Sequence, residues 1–311
     1  MDVEVAHPEV FAAVRDRLAA AGVPSPGVDA RWLIEHVLAD AAGASGPRPA
    51  SGAGALPGLT TGPQADRLTA LVARREAREP LQLVLGAAAF RTIEVACRPG
   101  VFIPRPETEV VAGVAIEHAR QRAAERGAGS GAGPLVAEPC TGTGAIACAV
   151  ALEVPGARVL ATDLDPAAVD LARHNARALA PDRVEVVHGD LLDPLDGSLR
   201  GHLDVLVANP PYLPAADRGT WAPEVADHDP PAALIGGPDG HEVVDRLLAL
   251  AADWLAPGGR VVLEIDERRG TRAAAAARAV GLTDVEVHGD LTGAERVLVA
   301  RRPDRAGAAG R

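Results

Sequence analysis

The sequence contains no lysine, and this absence excludes two kinds of chemistry. A Walker-type phosphate-binding loop requires a Gly-Lys pair, and pyridoxal phosphate enzymes require a lysine that forms a Schiff base. Apart from histidine, every basic side chain in the chain is an arginine. Hydrolysis of ATP on a Walker loop and pyridoxal chemistry are therefore both excluded.

Cysteine is also scarce. The three cysteines, Cys97, Cys140 and Cys148, form no Cys-x-x-Cys pair and no even-numbered framework. This usage is typical of a reducing compartment, and it argues against a structural zinc site. We expect a cytoplasmic protein without a bound metal, and we interpret the three thiols as small buried side chains.

Long apolar runs and an excess of positive charge are missing as well. No apolar run reaches the ~18 residues of a membrane helix, and residues 1–20 are charged and amphipathic rather than signal-like. The formal net charge of −11 disfavours a protein that binds nucleic acid by neutralising many phosphates. We therefore expect no membrane association, no direct nucleic-acid binding, and a protein or small-molecule substrate.

Residues 1–79 are predicted to form a small helical domain. Apolar side chains at helical spacing predict two amphipathic helices within residues 8–39 and a third over residues 64–78. Asp29 is a candidate cap for the second helix. Residues 43–63 are mostly glycine, alanine, proline and serine, and we interpret them as a flexible insertion.

A connector and a larger α/β domain follow. Residues 80–106 combine short alternating runs with glycine and proline, which suggests a hairpin-like connector. Residues 107–302 form the second domain, in which strand and helix signals alternate from Leu135 onward. This alternation predicts a doubly wound, mostly parallel sheet, whose ligand lies beyond the carboxyl ends of the strands. Residues 303–311 are expected to form a disordered tail.

A glycine turn, "EPCTGTGAIA", follows the first strand of this domain. Gly142 and Gly144 let the backbone approach a ligand, and the amides at the helix start favour a negative group. The next strand ends at Asp163, about 20 residues on, where a carboxylate can accept hydrogen bonds from ribose hydroxyls. The third glycine of the dinucleotide fingerprint is missing, so the loop favours S-adenosylmethionine. Asp190 and Leu191 are candidates for flanking adenine.

The fourth strand ends in Asn-Pro-Pro-Tyr, residues 209–212, beside the expected cofactor crevice. The prolines fix the backbone and leave carbonyl oxygens without local amide partners. The Asn209 oxygen and a proline carbonyl can accept both hydrogens of a planar NH2 group, while the Tyr212 ring packs on the substrate plane. Because an amide or adenine nitrogen is a poor nucleophile, we expect catalysis by positioning and electrostatics rather than by a strong base.

Together these motifs resemble the HemK-type release factor glutamine methyltransferases. The resemblance rests on "NPPY", "TGTGAIA", "ATDLDPAAVDLARHNA", "FIPRPETE", the helix "DARWLIEHVL" and the segment "PEVADHDPPAALIGGPDGHEVVDRLL", and it covers nearly the whole chain. It implies a class I, Rossmann-like methyltransferase with S-adenosylmethionine as cofactor. It further implies methylation of the side-chain amide nitrogen of the Gly-Gly-Gln glutamine in peptide chain release factors, which would be its protein partners.

The resemblance also implies which residues bind the cofactor and which bind the substrate glutamine. The residues expected to bind the cofactor are Phe102, Arg105, Thr108, Cys140, Thr141, Gly142, Thr143, Gly144, Asp163, Asp190, Leu191 and Asn209. The residues expected to bind the glutamine and position it for reaction are Asn209, Pro210, Pro211 and Tyr212.

The start of the glycine turn departs from the family pattern. The family usually has Asp-Leu-Gly there, whereas this chain has Glu138, Pro139 and Cys140. The carboxylate is retained, but the proline stiffens the strand end and a thiol replaces a glycine. These departures leave open a paralogue with another glutamine-bearing substrate and a non-catalytic protein that binds S-adenosylmethionine. Adenine methyltransferases share the Asn-Pro-Pro-Tyr motif, so an adenine-N6 methyltransferase of nucleic acid also stays open.

Overall fold

The computed structural model describes residues 7–41, 62–126 and 133–304. The chain divides into two compact units, each with its own apolar core. The first unit comprises Met1–Pro99 together with Ala222–His228, and the second comprises Gly100–Trp221 and Asp229–Arg311. Most of the predicted insertion at 43–63 and of the tail at 303–311 lies outside the described residues.

Helices dominate the described part of the first unit. They are α1 (Pro8–Ala20), α2 (Pro26–Ala41), α3 (Pro63–Glu76) and the short α4 (Leu81–Leu85), which the sequence did not predict. A proline occupies the first turn of α1 and of α3, where the missing amide costs no helical hydrogen bond. Leu18, Leu33 and Val72, one from each long helix, are fully buried and contribute to one core.

The predicted connector at 80–106 contains a β-hairpin and is divided between the two units. Strands β1 (Ala87–Phe90) and β2 (Ile93–Ala96) pair antiparallel. Residues up to Pro99 belong to the first unit, and Gly100 begins the second. The helix expected to start near Glu107 begins one residue earlier, at Pro106.

Partly buried ion pairs hold the separate segment 222–228 in the first unit. Arg75 donates from Nε to Asp29 Oδ2 at 2.7 Å, and both side chains are buried. Asp29 is therefore an ion-pair partner rather than a cap of α2, which begins at Pro26. Glu224 accepts hydrogen bonds of 2.7 Å from Nε and Nη2 of Arg78, and two of 3.2 Å from Arg75. Through Glu224, these arginines tie the segment to α3 and the turn that follows it.

The second unit contains a seven-stranded sheet in the order β5-β4-β3-β6-β7-β9-β8. Its strands are β3 (Leu135–Pro139), β4 (Arg158–Asp163), β5 (Val184–His188), β6 (Leu203–Ala208), β7 (Leu255–Glu264), β8 (Thr283–Gly289) and β9 (Glu295–Arg301). Neighbours from β5 to β7 pair parallel, and β9 pairs antiparallel with both β7 and β8. The predicted doubly wound, mostly parallel α/β sheet is confirmed.

Helices accompany these strands along the chain. They are α5 (Pro106–Arg126), α6 (Ala145–Glu153), α7 (Pro166–Leu179), α8 (Glu242–Trp254) and α9 (Gly270–Ala279), with a short helix at Pro231–Leu234; the short helix Pro223–Ala226 belongs to the first unit. All six residues of β6 are buried, as expected for a central strand covered on both faces. None of the helices in the described parts of the chain has the length and apolarity to cross a membrane.

The strand order places the ends of β3 and β6 side by side. The chain runs outward from β3 through β4 to β5 and then returns to β6 on the other side of β3, where Val136 pairs with Val205. This reversal of strand order is the switch point at which doubly wound sheets bind ligands. The glycine turn after β3 and Asn209 after β6 therefore lie at one crevice.

Candidate active site

A pocket of about 410 Å³ lies in the second unit and is lined by residues from the strand ends. Its volume falls within the range of ~300–1,000 Å³ that is usual for small-molecule and cofactor sites. The structure brings together these predicted site residues around it: Phe102, Thr108, Cys140, Thr141, Gly142, Thr143, Asp163, Asp190, Leu191, Asn209 and Pro211.

Four predicted residues, Gly144, Arg105, Pro210 and Tyr212, are not among those that line this pocket. Gly144 precedes α6 with a φ of 78°, and a Cβ there would lie 3.2 Å from the Cβ of Ala172, so this position serves close helix packing. The Arg105 guanidinium lies 5.2 Å from the centre of the Phe102 ring. It also forms an ion pair with Asp229. Arg105 therefore contacts Phe102, which lines the pocket, without lining the pocket itself.

Backbone amides fix the carboxylate of Asp163 at the end of β4. Gly142 N donates to Oδ2 at 2.9 Å, and Asp165 N donates to Oδ1 at 3.0 Å. Burial raises the pKa of Asp163, although these amide hydrogen bonds oppose the rise. A carboxylate offers about four acceptor positions, so Asp163 can accept further hydrogen bonds from a ligand in the pocket.

Glu138 joins the glycine turn to the helix that follows it. Its side chain is 1% exposed, and Oε2 accepts from Thr141 Oγ1 at 2.7 Å and from Ala147 N at 2.8 Å. Burial raises the pKa of Glu138 to about 8. Because Glu138 lines the pocket together with Asp163, a positively charged ligand would favour its ionised form.

Two residues at the pocket adopt left-handed backbone conformations without being glycine. Cys140 has a φ of 59° and Leu191 a φ of 47°. A residue with a Cβ is disfavoured in this region, and such strain clusters at binding sites. The carbonyl of Leu191 accepts a hydrogen bond from the buried Thr162 hydroxyl, which helps to hold it in place.

A chain of hydrogen bonds connects Asn209 to a carboxylate that the sequence analysis missed. Asn209 Nδ2 donates to Thr108 Oγ1 at 3.1 Å, and Thr108 Oγ1 donates to Glu264 Oε2 at 2.7 Å. Glu264 ends β7 and is 2% exposed, and burial raises its pKa. Its position at the carboxyl end of an apolar parallel strand is the signal that could have identified it, because Asp163 occupies the equivalent end of β4.

Tyr212 is placed differently from the expectation. Its ring was expected to pack on the substrate plane, but it packs against the core of the second unit and borders a separate cavity of about 10 Å³. Its hydroxyl donates to Glu264 Oε1 at 3.0 Å, and burial raises the pKa of this hydroxyl. The hydrogen bond to a buried carboxylate accounts for this orientation.

One wall of the pocket was not predicted from the sequence. It comes from the segment that directly follows residues 222–228 and contains Pro230, Ala232, Ala233 and Ile235. This wall is anchored to the residue after the Asn-Pro-Pro-Tyr turn: Leu213 N donates to Leu234 O at 2.9 Å, and Gly236 N donates to Leu213 O at 3.0 Å.

Two ion pairs support the pocket margins. Arg105 pairs with Asp229, whose side chain is fully buried, next to the first residue of the unpredicted wall. Arg246 lines the pocket and pairs with Asp190 at 2.7 Å, where both side chains stay partly exposed. The predicted adenine neighbour Asp190 is thus already engaged by a cation.

The residues of the pocket fit S-adenosylmethionine. Asp163 retains acceptor positions for ribose hydroxyls, and the carboxyl group of Glu138, once ionised, matches the positive charge of the cofactor's methionine part. Leu164 lines the pocket although it is 67% exposed, and Leu191 lines it as well. These apolar side chains are suited to the faces of an adenine ring.

Part of the second unit matches a known protein family. The family model of the methyltransferase small domain matches residues 129–222. Among solved structures, a methyltransferase from Pyrococcus furiosus is similar with a TM-score of 0.49 and 20% sequence identity, over 77% of this chain and 98% of that chain.

Full-length relatives are considerably more similar in sequence. A release factor glutamine methyltransferase of Deinococcus radiodurans is 43% identical over 92% of this chain and 95% of its own length. Proteins with the same name from Mycolicibacterium smegmatis and Streptomyces coelicolor are 40% and 39% identical, each over 92% of this chain and 94% of theirs. The protein is an enzyme that uses S-adenosylmethionine, and the chain belongs to the family of release factor glutamine methyltransferases.

Proposed function

We propose that this protein methylates the glutamine of the Gly-Gly-Gln motif in peptide chain release factors. The observation that carries the proposal is the orientation of Asn209 at the pocket. Its Nδ2 is engaged by Thr108, so its Oδ1 remains for a substrate NH2 group. The names of the relatives, which cover nearly the whole chain, support the same substrate.

The cofactor would be held by the residues of the glycine turn and the adjacent strand ends. Cys140–Gly144 would surround its methionine part, Asp163 would bind the ribose, and Asp190 with Leu191 would flank the adenine. Phe102, Arg105 and Thr108 would cover it. When bound, S-adenosylmethionine supplies a methyl group on a positively charged sulfur.

The chain's own residues would then bind and orient the glutamine amide. The amide nitrogen is a poor nucleophile because its lone pair is delocalised into the carbonyl group. Asn209 Oδ1 and the carbonyl of Pro210 would accept its two hydrogens, which fixes the nitrogen in line and stabilises the positive charge that develops on it. Pro210 and Pro211 would keep the backbone in the required conformation, since each proline fixes its own φ.

The helical first unit would bind the protein that carries the glutamine. Val28 and Trp32 lie one turn apart on α2 and are 56% and 45% exposed, unlike most large apolar side chains of the unit. Exposed tryptophan is a frequent anchor in protein interfaces. A Trp32→Ala variant should lose methylation of an intact release factor about tenfold but keep methylation of a short Gly-Gly-Gln peptide. Equal effects on both substrates would contradict this role.

The experiment that tests the proposed function combines the purified protein, methyl-labelled S-adenosylmethionine and a release factor from the same source. Peptide mass spectrometry then locates the label. We expect it on the glutamine of Gly-Gly-Gln, and we expect Asn209→Ala to abolish transfer while S-adenosylmethionine still binds.

Other results would overturn the proposal in distinct ways. Label on another glutamine-bearing protein would indicate a paralogue, and label in added DNA or RNA would indicate an adenine methyltransferase. Binding of the cofactor without transfer to any of these substrates would indicate a binding protein.

A further inference from the structure

A buried hydrogen-bond chain runs from the pocket to the end of β7. Thr108 Oγ1 lies 3.1 Å from Asn209 Nδ2 and 2.7 Å from Glu264 Oε2. Thr108 is 3% exposed and Glu264 is 2% exposed, so the hydrogen bond between them is shielded from water, whereas Asn209 is partly exposed at the pocket. A hydroxyl group has only one hydrogen to donate, and an ionised carboxylate has none.

The direction of these two hydrogen bonds follows from the number of hydrogens that each group can donate. The hydroxyls of Thr108 and Tyr212 face the two oxygens of Glu264 and stabilise its ionised form, in which the Thr108 hydrogen points to Oε2 at 2.7 Å. The Thr108 oxygen can then only accept from Asn209. The Nδ2 end of the amide must therefore face Thr108, and the Oδ1 end must face away from it.

Tyr212 supports the same arrangement from the other side of the carboxylate. Its hydroxyl donates to Glu264 Oε1 at 3.0 Å, so each oxygen of Glu264 has a hydroxyl donor. Burial raises the pKa of Glu264, and the hydrogen bonds from Thr108 and Tyr212 counteract this rise. Tyr212 thus acts through the carboxylate, and the Thr108 hydroxyl is kept from turning toward Asn209.

We propose that Thr108 and Glu264 are positioning residues that fix the polarity of the Asn209 amide, and that this polarity makes the site select a substrate NH2 group over an oxygen in the same place. The identity of the substrate rests on the proposed function. Glutamine and glutamate side chains have nearly the same shape, so packing alone cannot separate them. A fixed acceptor, Asn209 Oδ1, distinguishes glutamine from glutamate. The NH2 group of glutamine can donate to it, whereas an oxygen of ionised glutamate would face it with no hydrogen between the two oxygens.

The test compares binding of two short peptides, Gly-Gly-Gln and Gly-Gly-Glu, to the full chain saturated with S-adenosylhomocysteine, which prevents turnover. The wild-type protein should bind the glutamine peptide about tenfold or more tightly, the effect of one unmade buried hydrogen bond. Thr108→Val has the same shape but no hydroxyl, and it should lose most of this preference. Thr108→Ser should restore it, and Glu264→Leu, which cannot accept from Thr108, should lose it.

A matched control is Thr283→Val, which removes an exposed threonine hydroxyl on β8 and should leave the preference unchanged. If Thr108→Val and Glu264→Leu both keep the full preference for glutamine, the proposal is wrong. A loss that Thr108→Ser does not restore would likewise contradict it, since the effect would then come from packing rather than from the hydroxyl.

A second measurement needs no substrate. NMR can follow hydrogen exchange of the Asn209 side-chain NH2, whose signal is assigned because it is absent from Asn209→Asp. This exchange should be slow in the wild-type protein and in Thr108→Ser. It should be faster in Thr108→Val, because Nδ2 loses its acceptor. Unchanged exchange would overturn the polarity argument even if the release factor is methylated. Slow exchange in a protein that methylates no release factor would instead leave the polarity intact and remove the proposed function.

Discussion

A Cβ atom added at Gly240 would lie 2.3 Å from the carbonyl oxygen of Tyr212, and one added at Gly236 would lie 2.4 Å from the carbonyl oxygen of Pro211. No side chain can be accommodated at such distances without a shift of the backbone. The glycine-rich segment that follows the pocket wall therefore packs directly on the backbone of the Asn209–Tyr212 turn. Glycine at both positions allows this close packing, which holds the turn so that Asn209 lines the pocket.

Replacing Gly240 by alanine should consequently impair methyl transfer. Gly240 has a φ of 74°, and Gly281, with a φ of 87° and nothing within 4 Å of its Cβ position, is a control for backbone strain alone. We expect Gly240→Ala to lower kcat up to about 100-fold, since displacement of a reacting group by ~1 Å has that effect. Gly281→Ala should cost only about 1 kcal/mol of unfolding free energy. Equal kinetic losses in the two variants would contradict this explanation.

The backbone of Cys140 predicts the effect of restoring a glycine there. Its φ of 59° is unfavourable for any residue with a Cβ. We expect Cys140→Gly to raise the free energy of unfolding by about 1 kcal/mol, measured by urea denaturation. Cys140→Ala keeps the Cβ and should bring no such gain. A gain of the same size in both variants would assign the effect to the thiol instead of the backbone.

Glu138 should make stability depend on pH. Its pKa is raised by burial from 4.5 to about 8, so between these values the folded protein keeps a proton that the unfolded chain has lost. The free energy of unfolding therefore falls as pH rises through this window. Glu138→Gln can still accept from Thr141 and Ala147 but cannot ionise. Relative to the wild-type protein, this variant should become more stable from about pH 5 to about pH 8, by a few kcal/mol at ~1.4 kcal/mol per pKa unit.

Thermal and urea unfolding at several pH values would measure this difference. A constant offset between Glu138→Gln and the wild-type protein would show that the side chain does not titrate in this range. Addition of S-adenosylmethionine should reduce the difference, because positive charge in the pocket favours the ionised carboxylate.

Glu224 should have the opposite dependence. Burial raises its pKa, but hydrogen bonds from Arg78, from its own backbone amide and from Arg75 outweigh burial and bring it to about 2. Its stabilising contribution is then complete above its ordinary value of 4.5 and is lost as pH falls toward about 2. Glu224→Gln should cost on the order of 1–2 kcal/mol at neutral pH, allowing for solvent screening, and little at the acid end.

The matched control for Glu224 is Glu76, which pairs with Arg17 in the same unit but in a more exposed place. Glu76→Gln should have a smaller effect at neutral pH, since exposed ion pairs contribute little. If both variants lose the same stability, the cluster around Arg75 has no special role in holding the segment.

The sequence predicts the fold of the second unit well, because alternating strand and helix signals are local. Asp163 and Asn209 could be identified for the same reason: each follows an apolar strand directly. Glu264 also ends such a strand, but its partner Thr108 lies 156 residues away, and no local pattern relates the two. The orientation of Tyr212 depends on the same distant carboxylate, so the expectation that its ring packs on the substrate came from the turn alone.

The first unit shows the limit of local patterns in another way. The helical spacing predicts α1, α2 and α3 closely, since each buries one apolar stripe. The short helix α4 and the membership of residues 222–228 depend on tertiary contacts, which periodicity does not encode. Glu224 is an ordinary surface carboxylate by sequence, and its ion pairs are formed with arginines 149 and 146 residues away.

Because residues 222–228 complete the first unit, that unit is discontinuous along the chain. A ribosome that has translated Pro99 has not yet made the carboxylate that Arg75 and Arg78 bind, and it must first produce more than a hundred residues of the second unit. The amino-terminal helices thus reach their final set of ion pairs only after much of the sheet has been synthesised. A gene fragment that stops near residue 99 encodes an unfinished unit, and neither half of this enzyme can be exchanged between relatives by a single crossover.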